Sequence, residues 1–173
     1  SGTQGKEQIW KWLDEKLDKS RYIPEVIYTE RAGHAVEIAA LKAKEEAFAV
    51  VAIGGDGTIN EIARSLVHTK TALGIIPCGS GNGLARHLQI PMDAKKAINI
   101  INEGLIDIID YGKIDDVPFF CTCGVGFDAF VSLQFSKAGK RGPLIYLEKT
   151  LLESLKYKPE TYDCLLYTSD AAD

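Results

Sequence analysis

Between positions 6 and 19, Ile9, Leu13 and Leu17 recur every four residues, with Trp10 alongside. That spacing predicts an amphipathic helix. Segment 22–29 gathers Val26, Ile27 and Tyr28, β-branched and aromatic residues that predict a strand. Gly33 opens a second helical pattern, with Val36, Ala39, Ala40, Ala43 and Ala47 on one face. The run 48–53 is continuously apolar and ends in Gly54-Gly55, the pattern of a strand covered on both faces of a parallel sheet. Ile59, Ile62, Ala63 and Leu66 predict a third helix, 73–76 a short strand and 82–88 a short helix. Asp93 is placed to cap a helix that turns Ala94, Ala97, Ile98 and Ile101 inward and stops at Gly104. Segments 105–114 and 118–123 read as strands, and 128–135 and 144–155 as helices.

Strands alternating with helices imply an α/β fold: a doubly wound, mostly parallel sheet with helices on both faces. Such sheets bind ligands beyond the carboxyl ends of their strands. The glycine-rich segments all lie at expected strand-to-helix turns, so they should meet at one edge.

Composition narrows the class. The 173 residues are 46% hydrophobic and 25% charged, which excludes disordered and collagen-like chains. With 20 Lys+Arg against 24 Asp+Glu, the net charge of −4 argues against a nucleic-acid partner. No run approaches the roughly 18 apolar residues of a transmembrane helix. Cys78, Cys121, Cys123 and Cys164 form neither a dense disulfide framework nor a zinc pattern. They read as small buried apolar residues, with metal binding the lesser alternative, in a reducing, cytoplasmic protein. Lys137, Lys140 and Arg141 read as a solvated basic loop.

The strongest chemical signal is Gly54-Gly55-Asp56-Gly57-Thr58-Ile59-Asn60-Glu61. Its glycines let the backbone approach a ligand closely and aim N–H groups at it. The helix that follows adds partial positive charge, which favours phosphate. Asp56 is an anion inside this anion-binding turn. It needs a cation, a proton or hydrogen-bond donors, and a magnesium ion bridging it to nucleotide phosphates would serve. The glycines also suit a plain tight turn. Thr58 and Glu61 fit a Ser/Thr-x-x-Glu capping box, which needs no ligand.

A second signal, Gly79-Ser80-Gly81-Asn82-Gly83, again lies between strand and helix. It is not a Rossmann fingerprint, because Leu84 stands where Gly or Ala is required, and no P-loop sequence occurs. Asp110, in an apolar segment, is a third candidate, since a buried carboxylate needs a partner.

This ordered set, with Asp110-Tyr111-Gly112 and Gly124-Val125-Gly126-Phe127-Asp128 behind it, resembles the catalytic domain of the diacylglycerol kinase family, which includes sphingosine, ceramide and bacterial lipid kinases. The resemblance implies ATP-dependent transfer of the γ-phosphoryl group to a lipid hydroxyl at a membrane surface, with Mg2+ as cofactor. It implies nucleotide contacts at Ser1, Gly2, Thr29, Gly54, Gly55, Asp56, Gly57, Thr58, Asn60, Glu61, Gly79, Ser80, Gly81 and Asn82. Asp56 would act through the metal, and Asp110 would support the carboxylate network. It also implies a first strand ending in Asn-Pro-x-Ser-Gly, of which Ser1 and Gly2 would be the last two residues. A β-rich second domain would hold the lipid and the general base. The protein would be cytoplasmic, attaching peripherally to the inner face of the membrane.

NAD kinases share the Gly-Gly-Asp-Gly-Thr turn, and a non-catalytic nucleotide-binding module is a third reading. Gly79-Ser80-Gly81-Asn82 favours the lipid kinases. The nucleotide-binding domain is expected over 1–163. Residues 164–173 resemble one reading frame of a sequencing-library transposase adapter and are expected to be non-native.

Overall fold

The computed structural model describes residues 3–137, 157–165 and 167. They belong to two compact units, Ser1–Thr122 and Cys123–Asp173.

The first unit is built on two parallel strands, β1 (Ala49–Gly54) and β2 (Ala72–Pro77). They pair in register, from Ala49 opposite Ala72 to Gly54 opposite Pro77. Side chains alternate between the faces of a strand. Ala52 and Ile75 therefore face one layer, with helices α2 (His34–Lys44), α3 (Asp56–Leu66) and α4 (Gly83–His87), where Ala35, Ala39, Ile59, Ile62, Leu66, Leu84 and Ala85 close the core. Ile53 and Ile76 face the other, formed by α1 (Thr3–Lys16) and α5 (Ala94–Glu103) through Ile9, Leu13, Ala94, Ala97 and Ile98. Helices thus lie on both faces, but the burial expected of the run 48–53 is only partial: Ala52 is buried, residues 49, 50, 51 and 53 are half-buried and Phe48 is exposed.

Helix α5 has the expected ends. Asp93 accepts a hydrogen bond from the Lys96 N–H at 3.0 Å, and Gly104 closes the helix in the left-handed region at φ 68°. Strands β3 (Gly112–Ile114) and β4 (Val117–Phe119) form an antiparallel hairpin. A Cβ on Gly112 would run into the Phe119 ring opposite, so a side chain there would require that ring to move.

Three sequence expectations are corrected. No strand forms over 22–29: Pro24 has no N–H to give a ladder, Ile23 is 97% exposed, and the segment is anchored at Tyr22, whose ring lies 5.7 Å from that of Phe48. Segment 105–111 likewise joins no ladder among the described residues, and the strand expected over 105–114 is confined to β3. A β-type pattern becomes a strand only where a neighbouring backbone completes its hydrogen bonds. The strand expected over 118–123 is similarly limited to β4. A further correction concerns the cysteines: Cys78, Cys121, Cys123 and Cys164, expected to be buried, are exposed, and none belongs to either core cluster.

In the second unit, α6 (Phe127–Lys137) begins after Gly126, whose φ of 81° suits glycine. Phe127 and Phe130 pack on the Tyr157 ring, with centroids 5.2 and 5.6 Å away. The helix expected over 144–155 lies outside the described residues, as do Lys140 and Arg141.

Candidate nucleotide site at the glycine loops

The Gly54 and Gly79 loops leave β1 and β2 at the same sheet edge, because the strands are parallel and in register. Their backbones touch. A Cβ on Gly79 would stand 2.7 Å from the Gly55 Cα, and one on Gly55 would stand 3.1 Å from the Gly79 Cα. Gly54 is filled from within its own loop, since a Cβ there would lie 2.8 Å from Cβ and Oγ1 of Thr58. Gly57 is exposed and has nothing within 4 Å of such a Cβ, so its backbone is open to approach.

Asp56 is the first residue of α3 and the hinge between the loops. Its Oδ2 accepts the Asn82 N–H at 2.8 Å, and its Oδ1 accepts the Gly83 N–H at 2.6 Å. These are the amides at the start of α4, a helix that its own Asn82 side chain does not cap. Asp56 therefore caps α4 from across the site, and both hydrogen bonds are charge-assisted. The tension of an anion in an anion-binding turn is met here by two donors.

Asn82 is turned inward, 4% exposed, with left-handed backbone angles of 55° and 47°. Its Oδ1 accepts the Gly79 N–H at 2.9 Å and its Nδ2 donates to the Gly79 carbonyl at 2.8 Å. Both ends of the amide are thus spent on closing the loop. Ser80 and Gly81 are exposed on that loop.

Along α3 from Asp56, Thr58 and Glu61 line a polar cavity of about 300 Å3 with Thr29, Glu30, Arg31, Ala32 and Ala35. The capping-box reading of Thr58 and Glu61 is corrected. Helix α3 starts three residues earlier than that box requires, with Gly55 as its N-cap, and Glu61 accepts the Gly33 N–H at 3.2 Å instead. Glu61 so ties the start of α2 to α3. Opposite, Nη2 of Arg31 contacts both carboxylate oxygens of Glu37 at 2.6 and 2.7 Å. This guanidinium holds the Glu37 carboxyl below its ordinary value of 4.5.

The structure thus gathers Gly54, Gly55, Asp56, Gly79, Gly81 and Asn82 into one cluster and places Thr29, Thr58 and Glu61 around one cavity. Asn60 is half-buried on α3 and does not line that cavity. Asp110 is exposed, and among the described residues no hydrogen bond or ion pair joins it to Asp56. Ser1 and Gly2 lie outside the described residues. Arg31 and Ala32 were not among the sequence candidates, and Gly83, the last residue of the second glycine signal, was not expected to meet Asp56. Position in a polar loop two residues beyond Thr29 is the only sequence signal for Arg31.

The diacylglycerol kinase catalytic domain family matches residues 1–114. The chain belongs to this family. Among curated members, a diacylglycerol kinase of Staphylococcus saprophyticus is 32% identical over 154 residues, covering 85% of this chain and 50% of that protein. A diacylglycerol kinase of Staphylococcus aureus is 33% identical over 154 residues, covering 85% and 49%. The chain therefore spans about half the length of the curated relatives it matches. A crystal structure of a diacylglycerol kinase from Bacillus anthracis covers 64% of this chain and 42% of its own, with a TM-score of 0.55 and 24% identity. A second structure from the same organism covers 86% of this chain and 52% of its own, with a TM-score of 0.67 and 22% identity. These two likenesses establish that the family's fold is shared. Among the described residues no helix is long and apolar enough to cross a membrane.

Proposed function

We propose that the complete protein is an ATP-dependent lipid kinase, and that this chain supplies its nucleotide site. The observation that carries this reading is Asp56, clamped at the first turn of α3 between two glycine loops that touch backbone to backbone. The N–H groups opening α3, exposed at Gly57, would hold the phosphates. The cavity along the same helix, with Thr29, Thr58 and Glu61 on its wall, would take the rest of the nucleotide.

The donor set suits magnesium. An ionised carboxylate offers about four lone-pair sites, and the two amides use two of them. Magnesium is commonly held by one or two carboxylates together with substrate phosphates and water. Asp56 would hold it, and among the described residues no cluster of three or more acidic, His or Cys side chains competes. When bound, the cation neutralises charge on the phosphates. The chain's own part is to bind, to orient and to fix its one carboxylate, since phosphoryl transfer relies on positioning and charge stabilisation. The acceptor would be a lipid hydroxyl presented at a membrane surface to residues beyond this chain.

Incubating the full-length protein with labelled ATP and diacylglycerol micelles, sphingoid-base micelles or NAD tests the reading. Label in a lipid is expected, and label in NAD alone would replace the proposal with an NAD kinase. Asp56→Ala should abolish transfer while the protein stays folded. A variant retaining near wild-type rate refutes the assignment.

A further inference from the structure

Asn82 does not line the cavity beside α3: it is 4% exposed, and both ends of its amide are bound to Gly79. What it does instead is set the geometry around Asp56. Closing the loop onto Gly79 fixes the direction of the Asn82 N–H and of the Gly83 N–H that follows. Those two donors hold the two oxygens of Asp56. The fit leaves no slack, because a Cβ on Gly79 would meet Asn82 Oδ1 at 2.8 Å and one on Gly81 would meet Asp56 Oδ2 at 2.7 Å. The Asn82 carbonyl also accepts the Arg86 N–H at 2.9 Å, so the loop is continuous with α4.

We infer that Asn82 is a positioning residue: its side chain shapes the Gly79–Gly83 loop so that two backbone amides hold the Asp56 carboxylate in the orientation that receives a nucleotide-bound divalent cation. This rests on the nucleotide reading given above, and it changes the role of Asn82 from ligand contact to support for the carboxylate. Groups that orient a metal's ligand typically carry about ten- to a hundredfold in metal affinity. The loss on deleting the Asn82 side chain should therefore fall on the metal-dependent part of binding.

Asn82→Gly is the informative variant, because glycine adopts the left-handed backbone without strain and only the side chain is lost. The full-length wild type, Asn82→Gly and Asp56→Asn would be titrated by calorimetry with ADP, once with Mg2+ and once with EDTA. Hydrogen exchange of the 79–83 amides would be followed in the ligand-free proteins. Wild type should bind Mg-ADP more tightly than ADP alone. Asn82→Gly should lose about ten- to a hundredfold of that preference, approach Asp56→Asn, and exchange its 79–83 amides faster. Equal weakening of both forms, or an unchanged preference, overturns the positioning role while leaving the nucleotide reading intact. Unchanged exchange in Asn82→Gly overturns it too. Wild type that binds neither form overturns the nucleotide reading and the inference with it.

Discussion

Gly55 and Gly79 approach so closely that a methyl group on Gly79 would sit 2.7 Å from the Gly55 Cα. The obstacle is backbone, which cannot rotate aside as a side chain can. Two loops 24 residues apart in sequence become one surface because neither carries a side chain at the point of contact.

Gly79→Ala should therefore force the loops apart. Overpacking of this kind costs about 1–3 kcal/mol, and the separation should disturb the Asn82 and Gly83 hydrogen bonds to Asp56. A lowered midpoint in urea, with weaker Mg-ADP binding, is expected. Gly57→Ala is the control, since a Cβ there meets nothing within 4 Å. It should leave stability unchanged or raise it by up to about 1 kcal/mol, since alanine is favoured over glycine within a helix.

Asp93 accepts the Lys96 N–H at the start of α5. Removing an N-cap of this type costs about 1 kcal/mol. Asp93→Ala should show that loss in a denaturant titration, and Asp93→Ser should recover most of it. Equal stability of all three proteins would contradict the cap.

Glu37 titrates below 4.5 because Arg31 favours its charged form. A carboxyl lowered in the folded state stabilises the protein above its unfolded value, and that contribution disappears as pH falls through the folded one. Both side chains are exposed, so the link is weak and salt-sensitive. Carbon-detected NMR should place the Glu37 midpoint below 4.5 in wild type and return it towards 4.5 in Arg31→Ala. A wild-type midpoint at or above 4.5 would contradict the pairing.

How far the chain could be read without its structure differs from residue to residue. The apolar run into Gly54, the four-residue spacing of α1 and the Asp93 and Gly104 ends of α5 are legible, because period and capping are local chemistry. So are the two glycine turns, whose composition has meaning only in a strand-to-helix connection. The capping box at Thr58 and Glu61 was a local match that a partner elsewhere overrides: the Gly33 N–H, 28 residues away, takes the Glu61 carboxylate.

Sequence alone determined that β1 and β2 are strands, that helices alternate with them and that glycine loops stand at their carboxyl ends, since each follows from interactions among near neighbours. Tertiary structure decided which candidate strands found a ladder, leaving 22–29 and 105–111 without one, and which donors Asp56 would meet. Its partners at Asn82 and Gly83 lie 26 and 27 residues on. Hydrogen bonds across such separations depend on how strands align and loops close, and no local pattern encodes that alignment.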